Sequence, residues 1–80
     1  MLFEYSNHSL EQMQIRNISK QVVNLVMKHP DSIINEEDNQ QIFQKVIEQH
    51  LYRVFVTTNK NPALIKTLYR TSKISKYNTL

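Results

Sequence analysis

The sequence predicts an α+β domain of order β-α-α-β-β-β, with a helical hairpin packed on one face of an antiparallel sheet and a basic C-terminal tail. Three observations predict it. The runs Leu51-Tyr52-Arg53-Val54-Phe55-Val56-Thr57-Thr58 and Ala63-Leu64-Ile65-Lys66-Thr67-Leu68-Tyr69-Arg70 are rich in aromatic and β-branched residues. Only Asn59-Lys60-Asn61-Pro62 separates them, so they read as a β-hairpin. Upstream, residues 7–29 carry helical apolar spacing with a serine before each segment. The chain has 80 residues, close to the lower limit for a self-sufficient core, which predicts a single domain.

In chain order, Phe3-Glu4-Tyr5 alternates like a short edge strand. Ser6 is an N-cap residue, its hydroxyl placed to accept from an unpaired amide of a helix over residues 7–16. Leu10 and Met13, at i and i+3, are its expected buried stripe. Asn17 is expected to end that helix in the left-handed region, where asparagine substitutes for glycine. Ile18 then packs inward and Ser19 caps a second helix. Val22, Leu25, Val26 and His29 follow the i, i+3, i+4, i+7 pattern and form its expected apolar face, with Lys20, Asn24 and Lys28 toward water. Pro30 stops it, because the residue before proline is pushed out of the α region. Ser32-Ile33-Ile34-Asn35 reads equally as a short strand or an extended link. Glu36-Glu37-Asp38-Asn39 is a charged turn, residues 41–47 are the next strand, and Glu48-Gln49-His50 turns into the central one.

Strand parity puts Arg53 with Leu51 and Phe55 on one face and Tyr52, Val54 and Val56 on the other. The same parity groups Lys66 and Arg70 with Leu64 and Leu68, against Ile65, Thr67 and Tyr69. The Val54/Val56 face is expected to meet the helices, leaving the other face open. The register between strands is not legible.

Composition narrows the function. There is no cysteine, so neither disulfides nor a zinc-thiolate site holds the chain. There is no glycine, which removes the phosphate-binding P-loop and the glycine-rich dinucleotide fingerprint. No apolar run approaches the ~20 residues needed to span a bilayer. The N-terminus has no basic stretch leading an apolar one, so no signal peptide and a cytoplasmic location are expected. His8, His29 and His50 are too scattered for a metal motif, and neither a metal nor a cofactor is expected.

Charge is strongly asymmetric. Residues 1–48 carry four Lys/Arg and seven Asp/Glu, a balance of −3; residues 49–80 carry six Lys/Arg and no acid, a balance of +6; together they give the net +3. A one-sided positive field favours an anionic partner, nucleic acid or an acidic protein segment. The plainer explanation is a solvated, lysine-protected sheet.

Tyr5-Ser6, His8, Met13, Arg16, Ile18-Ser19, Pro30, Leu51-x-Arg53-Val54, Lys66-Thr67-x-Tyr69 and Thr71-Ser72-Lys73-Ile74, in this order and spacing, resemble the small bacterial family called domain of unknown function 4258, over about residues 3–77. Many members carry Arg where this chain has Gln12, and Gly where it has Asn17. The family is similar to the RelE/ParE toxin superfamily, and the resemblance implies the β-α-α-β-β-β fold and pairing with an antitoxin. Members of that superfamily include ribosome-dependent messenger-RNA endonucleases and proteins that act on DNA gyrase.

Cleaving RNA without a metal needs a base for the 2′-hydroxyl, an acid for the leaving oxygen and cations for the phosphorane. His8, Arg16, Arg53 and Tyr69 are residues of the right types, and Lys66, Arg70, Lys73 and Lys76 suit phosphate or partner contacts. None forms a local motif. Each also has a plain structural reading: His8 bonded near a helix N-terminus, Arg16 complementing a helix dipole, Arg53 exposed on a sheet, Tyr69 with its ring half-buried and its hydroxyl wet, the lysines solvated. Arg16, Arg53, Tyr69 and Lys73 are expected to approach one patch. Two functions follow: a toxin-like module acting on RNA or a ribosome and neutralised by an acidic antitoxin, or a non-enzymatic interaction domain with a basic sheet face.

Overall fold

The computed structural model describes residues 2–77. Two helices pack on one face of a five-stranded sheet. The elements are β1 (Phe3–Tyr5), α1 (Asn7–Arg16), α2 (Lys20–Lys28), β2 (Ser32–Glu36), β3 (Gln40–Ile47), β4 (His50–Thr57), β5 (Ala63–Thr71) and a short α3 (Ile74–Tyr77). The α+β class and the helical hairpin agree with the sequence expectation. Two details differ. Residues Ser32–Glu36 pair with β3 and so add a strand rather than a link. The sheet is mixed, because β1 lies parallel to β5 at the edge of the order β1-β5-β4-β3-β2.

Both helices begin and end as their residues dictate. The Ser6 hydroxyl accepts from the Ser9 amide at 3.0 Å and donates to the Lys66 carbonyl at 3.0 Å, so one side chain caps α1 and ties it to β5. Asn17 sits at φ 55°, in the left-handed region that closes α1. The Ser19 hydroxyl accepts from Val22 at 3.2 Å and starts α2.

The buried stripes are only partly the expected ones. Met13 and Val26 are buried as expected, but Leu10 is 40% exposed and Leu25 41%, and His29 is exposed; Ser9 on α1, with Val23 and Met27 on α2, are buried in their place. Five of the six residues from Val22 to Met27 are apolar, so two overlapping stripes satisfy the helical period equally. The sheet selects the one offset by a residue.

The core lies between this helix layer and Phe43, Val54, Val56, Ile65 and Leu68. The Val54/Val56 face therefore meets the helices as expected. The parity expected for β5 is broken by a bulge. Val56 pairs with Ile65 and Phe55 with Thr67, so Lys66 is the extra residue. Beyond it the pattern inverts: Leu68 enters the core opposite Val54, and Tyr69 moves to the other face opposite Arg53. Arg70 goes to the helix side, opposite Tyr52. The expected basic tail is also changed over its described part, since residues Ile74–Tyr77 form α3 and return over the sheet face opposite the helices. Residues 78–80 of that tail lie outside the described residues.

Candidate functional site

One row of side chains crosses the sheet on the face away from α1 and α2. Ser32, Gln44, Arg53 and Tyr69 are direct cross-strand neighbours on β2, β3, β4 and β5. They are also hydrogen-bonded in that order. Gln44 Nε2 donates to Ser32 Oγ at 3.2 Å, Arg53 Nε donates to Gln44 Oε1 at 2.6 Å, and Arg53 Nη1 donates to the Tyr69 hydroxyl at 2.6 Å. Gln44 is 1% exposed, while Arg53 and Tyr69 are half-buried.

Aromatic rings surround the guanidinium. Its central carbon lies 4.4 Å from the Tyr77 ring centroid, 5.4 Å from Phe55 and 5.7 Å from Tyr69. Such contacts orient a cation without neutralising it. Phe55 and Tyr69 meet edge to face, with centroids 5.9 Å apart. α3 closes over the row from above: Gln44 Nε2 also donates to the Tyr77 carbonyl at 3.4 Å. The Tyr77 phenol is held below the usual tyrosine range, first by the Tyr69 hydroxyl, then by the charges of Lys76 and, less strongly, Arg53. Among the described residues no carboxylate lies within ion-pair distance of Arg53; Lys45 with Asp31 is the ion pair there, at 3.3 Å.

The sequence-predicted residues divide between the two faces. Arg53 and Tyr69 meet directly. His8 and Arg16 lie on α1, in the helix layer behind the sheet, so they do not join them. Arg16 Nε donates to Gln12 Oε1 at 3.0 Å, and Arg70 reaches the Asn17 carbonyl from the same side at 3.5 Å. Lys66 is exposed at the bulge beside Ser6. Lys73 is exposed at the turn before α3, its amide bonded to Thr71 Oγ1, and Lys76 Nζ lies 5.3 Å from the Tyr77 ring. Of the patch expected from Arg16, Arg53, Tyr69 and Lys73, only Arg53 and Tyr69 are in direct contact, and Arg16 lies on the other side of the sheet. The separation follows from connectivity, since α1 packs on β5 from the core side.

Sequence reasoning missed Gln44, Ser32 and Tyr77. Gln44 left one signal, a polar residue sharing strand parity with Ile42 and Val46. Tyr77 left none, because nothing in a short polar segment announces that it folds back. There is no group of three or more metal-ligating side chains and no enclosed pocket among the described residues. No helix is long and apolar enough to cross a membrane. The family described as Domain of unknown function (DUF4258) matches residues 5–70. No curated protein and no solved structure matches the chain.

Proposed function

This chain belongs to the DUF4258 family, and we propose that it is the toxin-like half of a toxin–antitoxin pair: a cytoplasmic, metal-independent ribonuclease neutralised by an acidic partner. The observation that carries the reading is the Arg53–Tyr69 contact at 2.6 Å with the Tyr77 ring stacked on the guanidinium. It supplies the group types that phosphodiester cleavage requires. The 2′-hydroxyl attacks the adjacent phosphorus, the bond to the 5′ oxygen breaks, and a 2′,3′-cyclic phosphate and a 5′-hydroxyl result. Two phenols, Tyr69 and Tyr77, stand beside the guanidinium to exchange the protons of the two steps. Tyr69 accepts from Arg53 at 2.6 Å, which holds its hydroxyl beside the guanidinium where the leaving oxygen would be charged. Arg53 carries the charge that stabilises the phosphorane. The likeness to RelE/ParE toxins that the sequence resemblance implies would add an analogical argument of the same sign. The positive charge of the acid-free residues 49–80 would draw an acidic antitoxin or RNA.

A second reading, a non-enzymatic interaction domain, is favoured by one feature: Tyr77 covers Arg53 in the free protein, as in a structural aromatic–cation cluster. End-labelled RNA incubated with the protein in chelator, with and without ribosomes, separates the two. Wild type should cut, leaving cyclic phosphate ends, and Arg53→Ala and Tyr69→Phe should not. No cutting by wild type in either condition rejects the ribonuclease and leaves the interaction domain.

A further inference from the structure

We propose that Gln44 is a positioning residue, which fixes the Arg53 guanidinium while leaving its positive charge free for an anionic phosphate. The inference rests on the reading of Arg53 as the group that stabilises that phosphate.

Gln44 is an unusual residue for its place. It sits on β3, the strand next to the β2 edge, between Ser32 and Arg53, and is 1% exposed. The main apolar core is on the other side of the sheet. A buried amide is costly unless all its polar atoms are paired, and an apolar side chain of similar size would fill the same space without that demand. Here each polar atom has a partner: Oε1 accepts from Arg53 at 2.6 Å, and Nε2 donates to Ser32 at 3.2 Å and to the Tyr77 carbonyl at 3.4 Å. The shortest of these is the one to the guanidinium.

The choice of an amide has an electrostatic consequence. A glutamate at position 44 would still accept the Arg53 Nε–H but would neutralise the guanidinium, and it would lose the donor that reaches the Tyr77 carbonyl. Glutamine accepts the Nε–H and adds no charge. The Tyr69 hydroxyl on the other side is also a neutral acceptor, and the three rings are uncharged. The guanidinium is thus held on several sides by neutral groups, partly removed from water, with no carboxylate in ion-pair distance among the described residues. A cation kept in this way gains most from a phosphate, whose two oxygens match the fork of the remaining N–H donors.

The test uses the full chain with Gln44→Leu, Gln44→Glu and Arg53→Ala. Three quantities are read: the melting temperature, the NMR resonance of the Arg53 Nε–Hε group, and the affinity for a fluorescein-labelled oligouridylate at low salt. Gln44→Leu should melt within about 5 °C of wild type, lose the distinct Nε–Hε resonance, and bind about tenfold more weakly. Gln44→Glu should keep the resonance and still lose the affinity, because the guanidinium is then paired. Arg53→Ala sets the floor for both. Wild-type affinity in Gln44→Glu, or in a folded Gln44→Leu when Arg53→Ala has lost it, overturns the positioning role and leaves Arg53 in place. If Gln44→Leu does not fold, Gln44→Glu alone decides. If Arg53→Ala binds and cuts RNA like wild type, the Arg53 site itself is wrong and the inference falls with it.

Discussion

Ile65→Ala tests the packing most sharply when set beside Leu25→Ala. Ile65 is 0% exposed, on β5 next to the bulge, within the cluster that joins both helices to the sheet. Truncation to alanine removes three carbons, worth about 0.8 kcal/mol each in transfer free energy, or about 2.4 kcal/mol. A residual cavity between two packed layers adds to this, giving about 3–4 kcal/mol. Leu25 loses the same number of carbons but is 41% exposed. Its transfer term is reduced accordingly and water fills the gap, so the cost is about 1 kcal/mol. In a domain this small a kilocalorie moves the melting temperature by about 4–8 °C. Urea and thermal melts of both variants should therefore separate widely. Equal losses would mean that α2 is rotated by one residue, with the stripe Val22/Leu25/Val26/His29 facing the sheet after all.

Three further outcomes follow from local geometry. Ser6→Ala removes both the cap of α1 and the bond to Lys66, and should cost about 1–2 kcal/mol by urea denaturation. Asn17→Gly relieves a left-handed residue at φ 55° and should stabilise by up to about 1 kcal/mol; a loss would mean that the Asn17 side chain matters more than its backbone. The Asp31 carboxyl is held below the usual carboxylate range, first by the Val46 amide, which outweighs the opposing effect of burial, and then by Lys45. A depressed carboxylate stabilises the fold above its unfolded pKa of about 3.9 and loses that contribution as pH falls through its lower folded value. Asp31→Asn should consequently destabilise at pH 7, with a deficit that shrinks in melts recorded below about pH 3; a deficit independent of pH would contradict the ion-pair account.

The strands and helix ends were legible because they rest on local chemistry. Serine at two caps, asparagine at φ 55° and proline after α2 each act within a few residues. What failed depended on contacts distant in sequence. The stripe of α2 could be chosen only by the sheet beneath it, since Val22 to Met27 is apolar nearly all round. The face of Tyr69 was decided by a single extra residue, Lys66, whose bulge reverses every side chain after it. Arg53 and Tyr69 could be picked by residue type, but the Ser32–Gln44–Arg53–Tyr69 row depends on the register of four strands, which no local pattern encodes. The distant placement of His8 and Arg16 has the same origin: residue type nominates a group for chemistry, and only the side of the sheet decides whether it reaches the site.

The central claim is that the Arg53 cluster makes this chain toxic to the cell that expresses it. Tightly controlled induction in a bacterial host, followed by colony counts, measures that directly, with Arg53→Ala and Tyr69→Phe expressed at matched levels and shown to fold by circular dichroism. Wild type should arrest growth while both folded variants allow it, since neither Arg53 nor Tyr69 belongs to the apolar core. Normal growth with abundant wild-type protein, or equal arrest by the two variants, would contradict it.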